Sequence, residues 1–149
     1  MNKYALTTAI SRFILELERL AKATHKAEDR LLYETFLARA SVIIAKVVQD
    51  QPIGDDIVSM DRMYGNTWFR DDDAFKKAYS EWDTFKGLLT QSIYGMTVNE
   101  RLFTLDLVDE FDDAVARGDE SRARGILLKC FLDVHDIDAI IERHFEKKE

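Results

Sequence analysis

The apolar residues of the first third of the chain recur at steps of three and four, and this period restricts it to helices packed along one stripe. Leu6, Ile10, Phe13, Leu17 and Leu20 keep the step across 3–23, and Leu32, Phe36, Ala40, Ile43 and Val47 keep it across 27–50. A helix turns once in 3.6 residues, so each set lines one face. Pro52 and Gly54 in "QPIGDD" end the second run. Two long amphipathic helices joined by a short polar turn predict an antiparallel hairpin.

The rest of the chain reads as helical too, so the expected class is all-α, with about seven helices. A short helix over 55–64 carries Ile57, Met60 and Tyr64. The stretch "YGNTWFRDDD" follows, with turn chemistry at Gly65-Asn66. Asp71, Asp72 and Asp73 suit a helix start, where carboxylates meet unpaired amides and the positive dipole end. That helix, 72–93, is expected to stack Phe75, Tyr79, Trp82, Phe85 and Leu89 on one face. Thr97 and Glu100 form a T-x-x-E capping box, opening a helix expected to run to the stop at Gly118. Asp119 and Asp133 can cap two more, so 97–149 reads as a three-helix unit. The expected organisation is a single helical domain over 1–149, with sub-domains at 1–95 and 96–149 sharing one core.

A chain of 149 residues can bury about 68–70% of its unfolded surface and needs no metal or disulfide to stand up. The single Cys130, in "ILLKCFL", cannot form an internal disulfide; it reads as a buried packing residue of a protein from a reducing cytosol. No apolar run is long enough to span a bilayer, and charges at Arg12, Glu16 and Glu18 interrupt any signal peptide.

The formal charge of −7 is unevenly spread. Residues 1–96 carry 14 acids and 13 bases, a balance of −1, whereas 97–149 carry 14 acids and 8 bases, a balance of −6. This sign disfavours nucleic acid and anionic membranes as partners and leaves a basic protein open.

The acids concentrate in "DLVDEFDD", 106–113, which holds five carboxylates and no base. On a continuous helix over 102–115, Phe103, Leu107, Val108, Phe111, Ala114 and Val115 fall on one side, and Asp106, Asp109, Glu110, Asp112 and Asp113 on the other. Outward carboxylates lack the unequal burial that acid/base catalysis needs. An EF-hand starting at Asp109 would find Phe111 and Ala114 at its third and sixth positions, where an oxygen ligand and Gly are required. The spacing Glu-x-x-His of di-iron bundles does not occur, and His135 with Asp138 is a lone pair that reads as surface chemistry. Phosphate loops, zinc-protease motifs and nucleophile elbows are absent from the sequence. These readings imply no cofactor and no metal, and no enzyme unless a site assembles from residues distant in the sequence, such as a Ser/His/Asp triad.

Two readings of the acidic stretch remain: a solvated face, or a docking surface for a basic partner. Its charge reads as undiluted by Lys or Arg at i+4, a costly arrangement on a helix built for stability alone. Trp68 and Phe69, beside Arg70, form the second unusual feature. Either both rings plug a seam between the two halves, or one is an exposed anchor of the kind enriched at interfaces.

The segment "MTVNERLF…LVDEFDDAVARGD…ILLKCFL", 96–132, resembles a pattern in small uncharacterised bacterial proteins, in which an N-E-R-L helix start precedes an F-D-x-A-V-like segment. The whole layout is similar to the immunity proteins of bacterial toxin systems, including contact-dependent growth inhibition. That resemblance implies a cytosolic, non-enzymatic protein that occludes a cognate toxin such as a basic nuclease, and it implies no catalytic residues. Asp106, Asp109, Glu110 and Asp113 are the expected charged contacts, with Trp68, Phe69 and Arg70 as the anchor segment. The expected oligomeric state is a monomer or weak homodimer, and the alternative is a helical adaptor or oligomerising scaffold.

Overall fold

The computed structural model describes residues 2–145. They form eight helices: α1 Lys3–Ala23, α2 Ala27–Val48, α3 Gly54–Gly65, α4 Asp72–Tyr94, α5 Val98–Thr104, α6 Val108–Ala116, α7 Glu120–Lys129 and α8 Val134–Phe145, and no strand occurs among the described residues. The contacts divide the chain into two compact units, 1–92 and 93–149.

In 1–92, α1 and α2 form an antiparallel hairpin. Lys3 Nζ reaches Asp50 at one end, and Arg30 donates to the Ala21 and Thr24 carbonyls at the other. The sequence stripes are its core with one exception: Leu6, Ile10, Phe13 and Leu17 face inward from α1 and Phe36, Ala40, Ile43 and Val47 from α2, while Tyr33 takes the buried position expected of Leu32. Aromatic rings then tie in the next two helices. Phe13 meets Trp82 at 5.5 Å between centroids, and Phe36 meets Tyr64 at 4.6 Å. Trp82 donates its indole N–H to Asp61, so the largest buried ring of the chain has its polar atom satisfied. Tyr79 departs from the expected α4 stack. It is 42% exposed, and Ala78 takes the buried position instead.

In 93–149 the core is chiefly aliphatic, from Leu102 and Leu107 through Ile126 and Leu127 to Ile137 and Ile141. Cys130 is wholly buried here, and burial pushes its thiol up to about 11. The capping box forms as read: Thr97 accepts from the Glu100 amide, and Glu100 accepts from that of Thr97.

The helix expected over 97–118 is broken in two, so this unit has four helices where three were expected. Asp106 takes a left-handed φ of 59° between α5 and α6. The Leu107 amide donates back to Leu102 O at 2.8 Å, and the Asp106 amide to Phe103 O at 3.2 Å. This pair of bonds is the Schellman stop, completed by apolar contact between its ends, Leu102 and Leu107, both buried. Gly118 closes α6 in the same way, with φ 67° and the Asp119 amide bonded to Ala114 O. Aspartate is among the few side chains that tolerate this backbone region, so it can stand where glycine usually does.

Candidate protein-binding surfaces

The break at Asp106 re-aims the acidic stretch. Asp106 sits in the turn rather than on a helix face, half-buried and engaged by neighbouring groups. Phe103 and Val108, expected inward, are 49% and 37% exposed, and the inward positions go to Leu102, Leu107, Phe111 and Ala114. The single wheel over 102–115 is therefore corrected to two short helices, each with its own stripe.

On α6 the carboxylates then separate into two kinds. Asp113 is committed internally: Arg117 Nε lies 2.9 Å from one oxygen and Arg122 2.9 Å from the other. The Arg117 hydrogen bond, with Arg122 beside it, holds the Asp113 carboxyl below its usual range. Arg117 stands four residues after Asp113, so the reading of an undiluted i+4 pattern fails at that position. Asp109, Glu110 and Asp112 are exposed and make no ion pair with the described residues. Asp109 and Glu110 lie in the first turn, where unpaired amides and the helix dipole favour negative charge. Beside them runs a groove of about 410 Å³, floored by Val98, Leu102, Phe111 and Ile140 and edged by Asp112 and Arg143.

In 1–92, Trp68 and Phe69 go to opposite environments. Phe69 stacks on Phe75 at 3.9 Å and on Tyr33 at 4.8 Å, inside the unit's own ring cluster. Trp68 is 90% exposed. Arg70 reaches out to Glu28 at 2.8 Å as an exposed pair.

The device that fixes this segment is Asp29, which sequence reasoning passed over. Wholly buried on α2, it accepts the Arg70 amide at 2.8 Å and the Asp71 amide at 3.1 Å. Two charge-assisted bonds thus pin an irregular stretch to the hairpin and hold Trp68 outward. A signal existed: Asp29 continues the inward α2 register of Tyr33, Phe36 and Ala40. Asp29 and burial together also push Tyr33 up to about 12, with burial the larger cause.

Arg101, likewise unremarked, is buried in 93–149. Its guanidinium donates to the carbonyls of Tyr94, Met96, Cys130 and Phe131 at 3.0–3.1 Å. It thereby satisfies the C-terminal ends of α4 and α7, where carbonyls lack helical partners.

Among the described residues, no group of three or more His, Cys, Asp and Glu side chains is arranged to hold a metal, and no helix is long and apolar enough to cross a membrane. His135 is exposed, and its sequence neighbour Asp138 pairs instead with Arg124 at 2.6 Å. No protein-family model, curated protein or solved structure matches the chain.

Proposed function

We propose that the chain is a non-enzymatic binding protein whose α6 face docks a basic protein partner, in the manner of an immunity protein occluding a toxin domain such as a nuclease. The observation that carries this reading is the trio Asp109, Glu110 and Asp112, exposed together without ion-pair partners among the described residues. A basic groove evolved for phosphates would meet these carboxylates favourably, and long-range attraction would raise the association rate. Asp113 and Asp106 drop from the set of contacts, since each is engaged within the chain.

The test uses the charge-reversed chain Asp109→Lys/Glu110→Lys beside the wild type. Resin-bound wild type should retain a basic protein that high salt releases. Wild-type chain should inhibit that protein's activity, and reversal should slow association by about ten-fold or more, the range of electrostatic steering. An unchanged association rate at low salt would remove the α6 face from the mechanism.

One observation favours the adaptor or scaffold as a second reading. The outward arc of α2 carries Leu31, Thr35, Ala38, Val42 and Ala45, all exposed and all uncharged. Leu31 is 65% exposed and Val42 47%. Self-association through this stripe would be insensitive to salt, and light scattering at low and high ionic strength separates the two readings.

A further inference from the structure

Helix α2 is apolar on two opposite faces. One carries Tyr33, Phe36, Ala40, Ile43 and Val47 into the core of 1–92. The other carries Leu31, Thr35, Ala38, Val42 and Ala45, all exposed. From Thr35 to Val48 only Arg39 and Lys46 are charged, and their spacing sets both beside the outer stripe rather than on it. A surface helix ordinarily turns a charged face to water, so the outer face of α2 has the pattern of a covered one.

The stripe and its flanks suit a second copy of the same chain. Its steps of four, three, four and three are the a and d positions of two heptads, the seam of a two-helix pair. Its flanks carry opposite charges at the spacing such a seam uses. Glu34 stands just before the seam residue Thr35, and Arg39 just after the seam residue Ala38. Both are exposed and make no ion pair with the described residues. Five residues apart, they lie on opposite sides of the stripe and do not face each other on one helix. Between parallel copies each meets its opposite on the other chain, and a two-fold axis makes both pairs at once.

We infer that the outer face of α2 is a homodimer seam, in which two copies pair their α2 helices in parallel and Glu34 of each faces Arg39 of the other. An antiparallel pairing sets like flanks together, so Glu34 would meet only Glu34, Ser41 or Val48 and gain no cation. Thr35, Ala38 and Ala45 are short, so the helices come close while little apolar area is covered, and the dimer is weak. The apolar seam supplies the affinity and the flanking charges choose the orientation. This specifies the scaffold reading, on which it rests, and makes no use of α6.

The experiment is sedimentation of the whole chain as a function of concentration, joined to oxidative cross-linking. Wild type should show a dimer that salt hardly weakens. Val42→Lys places a charge in the seam at an exposed position and should weaken the dimer by about ten-fold or more. Glu34→Lys and Arg39→Glu should each weaken it by about three-fold or more at low salt. An equimolar mixture of those two variants should recover it as a heterodimer, because every cation then faces a glutamate. Ala45→Cys should cross-link to itself on oxidation, while Cys130 is wholly buried and stays silent. An antiparallel pairing centred on Ala38 would hold the two copies of position 45 about 20 Å apart. A chain that stays monomeric at every concentration overturns this inference and the scaffold reading together. A dimer that fails to cross-link at position 45, or that ignores both charge changes, overturns this inference alone.

Discussion

The interior of 1–92 adds a network of rings to its aliphatic stripes, whereas that of 93–149 is chiefly aliphatic with a buried arginine. Nine rings, from Phe13 to Phe85, form one connected network in the first unit, with centroids 3.9–6.3 Å apart. Large flat side chains can fill a space shared by long helices and an irregular loop, because each buries much area with few torsions. The second unit has short helices of 7 to 12 residues, with many ends and therefore many unpaired carbonyls. Its answer is polar: Arg101 collects four of them. Long helices leave a problem of volume to be filled, and short helices leave one of backbone satisfaction.

Substitutions can break this contrast. Phe36→Ala should have the largest effect, about 3–5 kcal/mol, because the ring is wholly buried against Tyr64, Phe69 and Phe75 and little can collapse into its place. Urea unfolding measures it, and a loss under about 1 kcal/mol would mean that the rings are not what closes the unit.

Arg101→Met should cost about 2–4 kcal/mol by leaving buried carbonyls unpaired. Arg101→Lys should recover less than half of that loss, since a single ammonium cannot reach acceptors on both helix ends. Hydrogen exchange should show the effect in α5–α8. Full rescue by lysine would reduce the residue to a charge and dismiss the fork geometry.

Asp29→Ala should cost about 2 kcal/mol, from two amides left without acceptors. It should also free the 66–71 segment, seen as faster amide hydrogen exchange throughout 66–71. Unaltered exchange at 66–69 would show that Phe69 stacking alone holds the loop.

The alkaline limb gives a smaller contrast. Tyr33 has its pKa raised in the folded chain to about 12, so the unfolded chain loses this proton first as pH rises. Stability from this group is therefore complete below about pH 10 and declines between about 10 and 12. Tyr64, also raised and chiefly by burial, adds to the same loss. Phenolate absorbance should show both tyrosines ionising together with unfolding. Independent ionisation of a still-folded chain would contradict their burial.

The long helices were legible because period, turn residues and caps agreed. The α1 and α2 stripes, the Thr97–Glu100 box and the Gly118 stop needed nothing beyond spacing. The break at Asp106 was hidden by a competing pattern. Phe103, Leu107, Phe111 and Ala114 imitate a continuous stripe, yet the buried set steps by five from Leu102 to Leu107, which no single helix face permits. Asp29 sat in register with core residues and could have been found. Arg101 could not, since its acceptors come from residues 7 before it and 29 and 30 after it. Of the candidate contacts, spacing alone put Asp109 and Glu110 outward, but could not foresee that Asp113 would spend its charge on Arg122, nine residues on.

That long reach of Arg101 bears on the order in which the second unit assembles. The guanidinium gains its bonds only after the ends of α4 and α7 have both arrived, so stripping its water earlier would bring no return. Its contacts therefore belong to the downhill side of the folding barrier. Arg101→Met should speed unfolding while leaving the refolding rate nearly unchanged, making this one side chain a brake on escape from the native state rather than a guide into it.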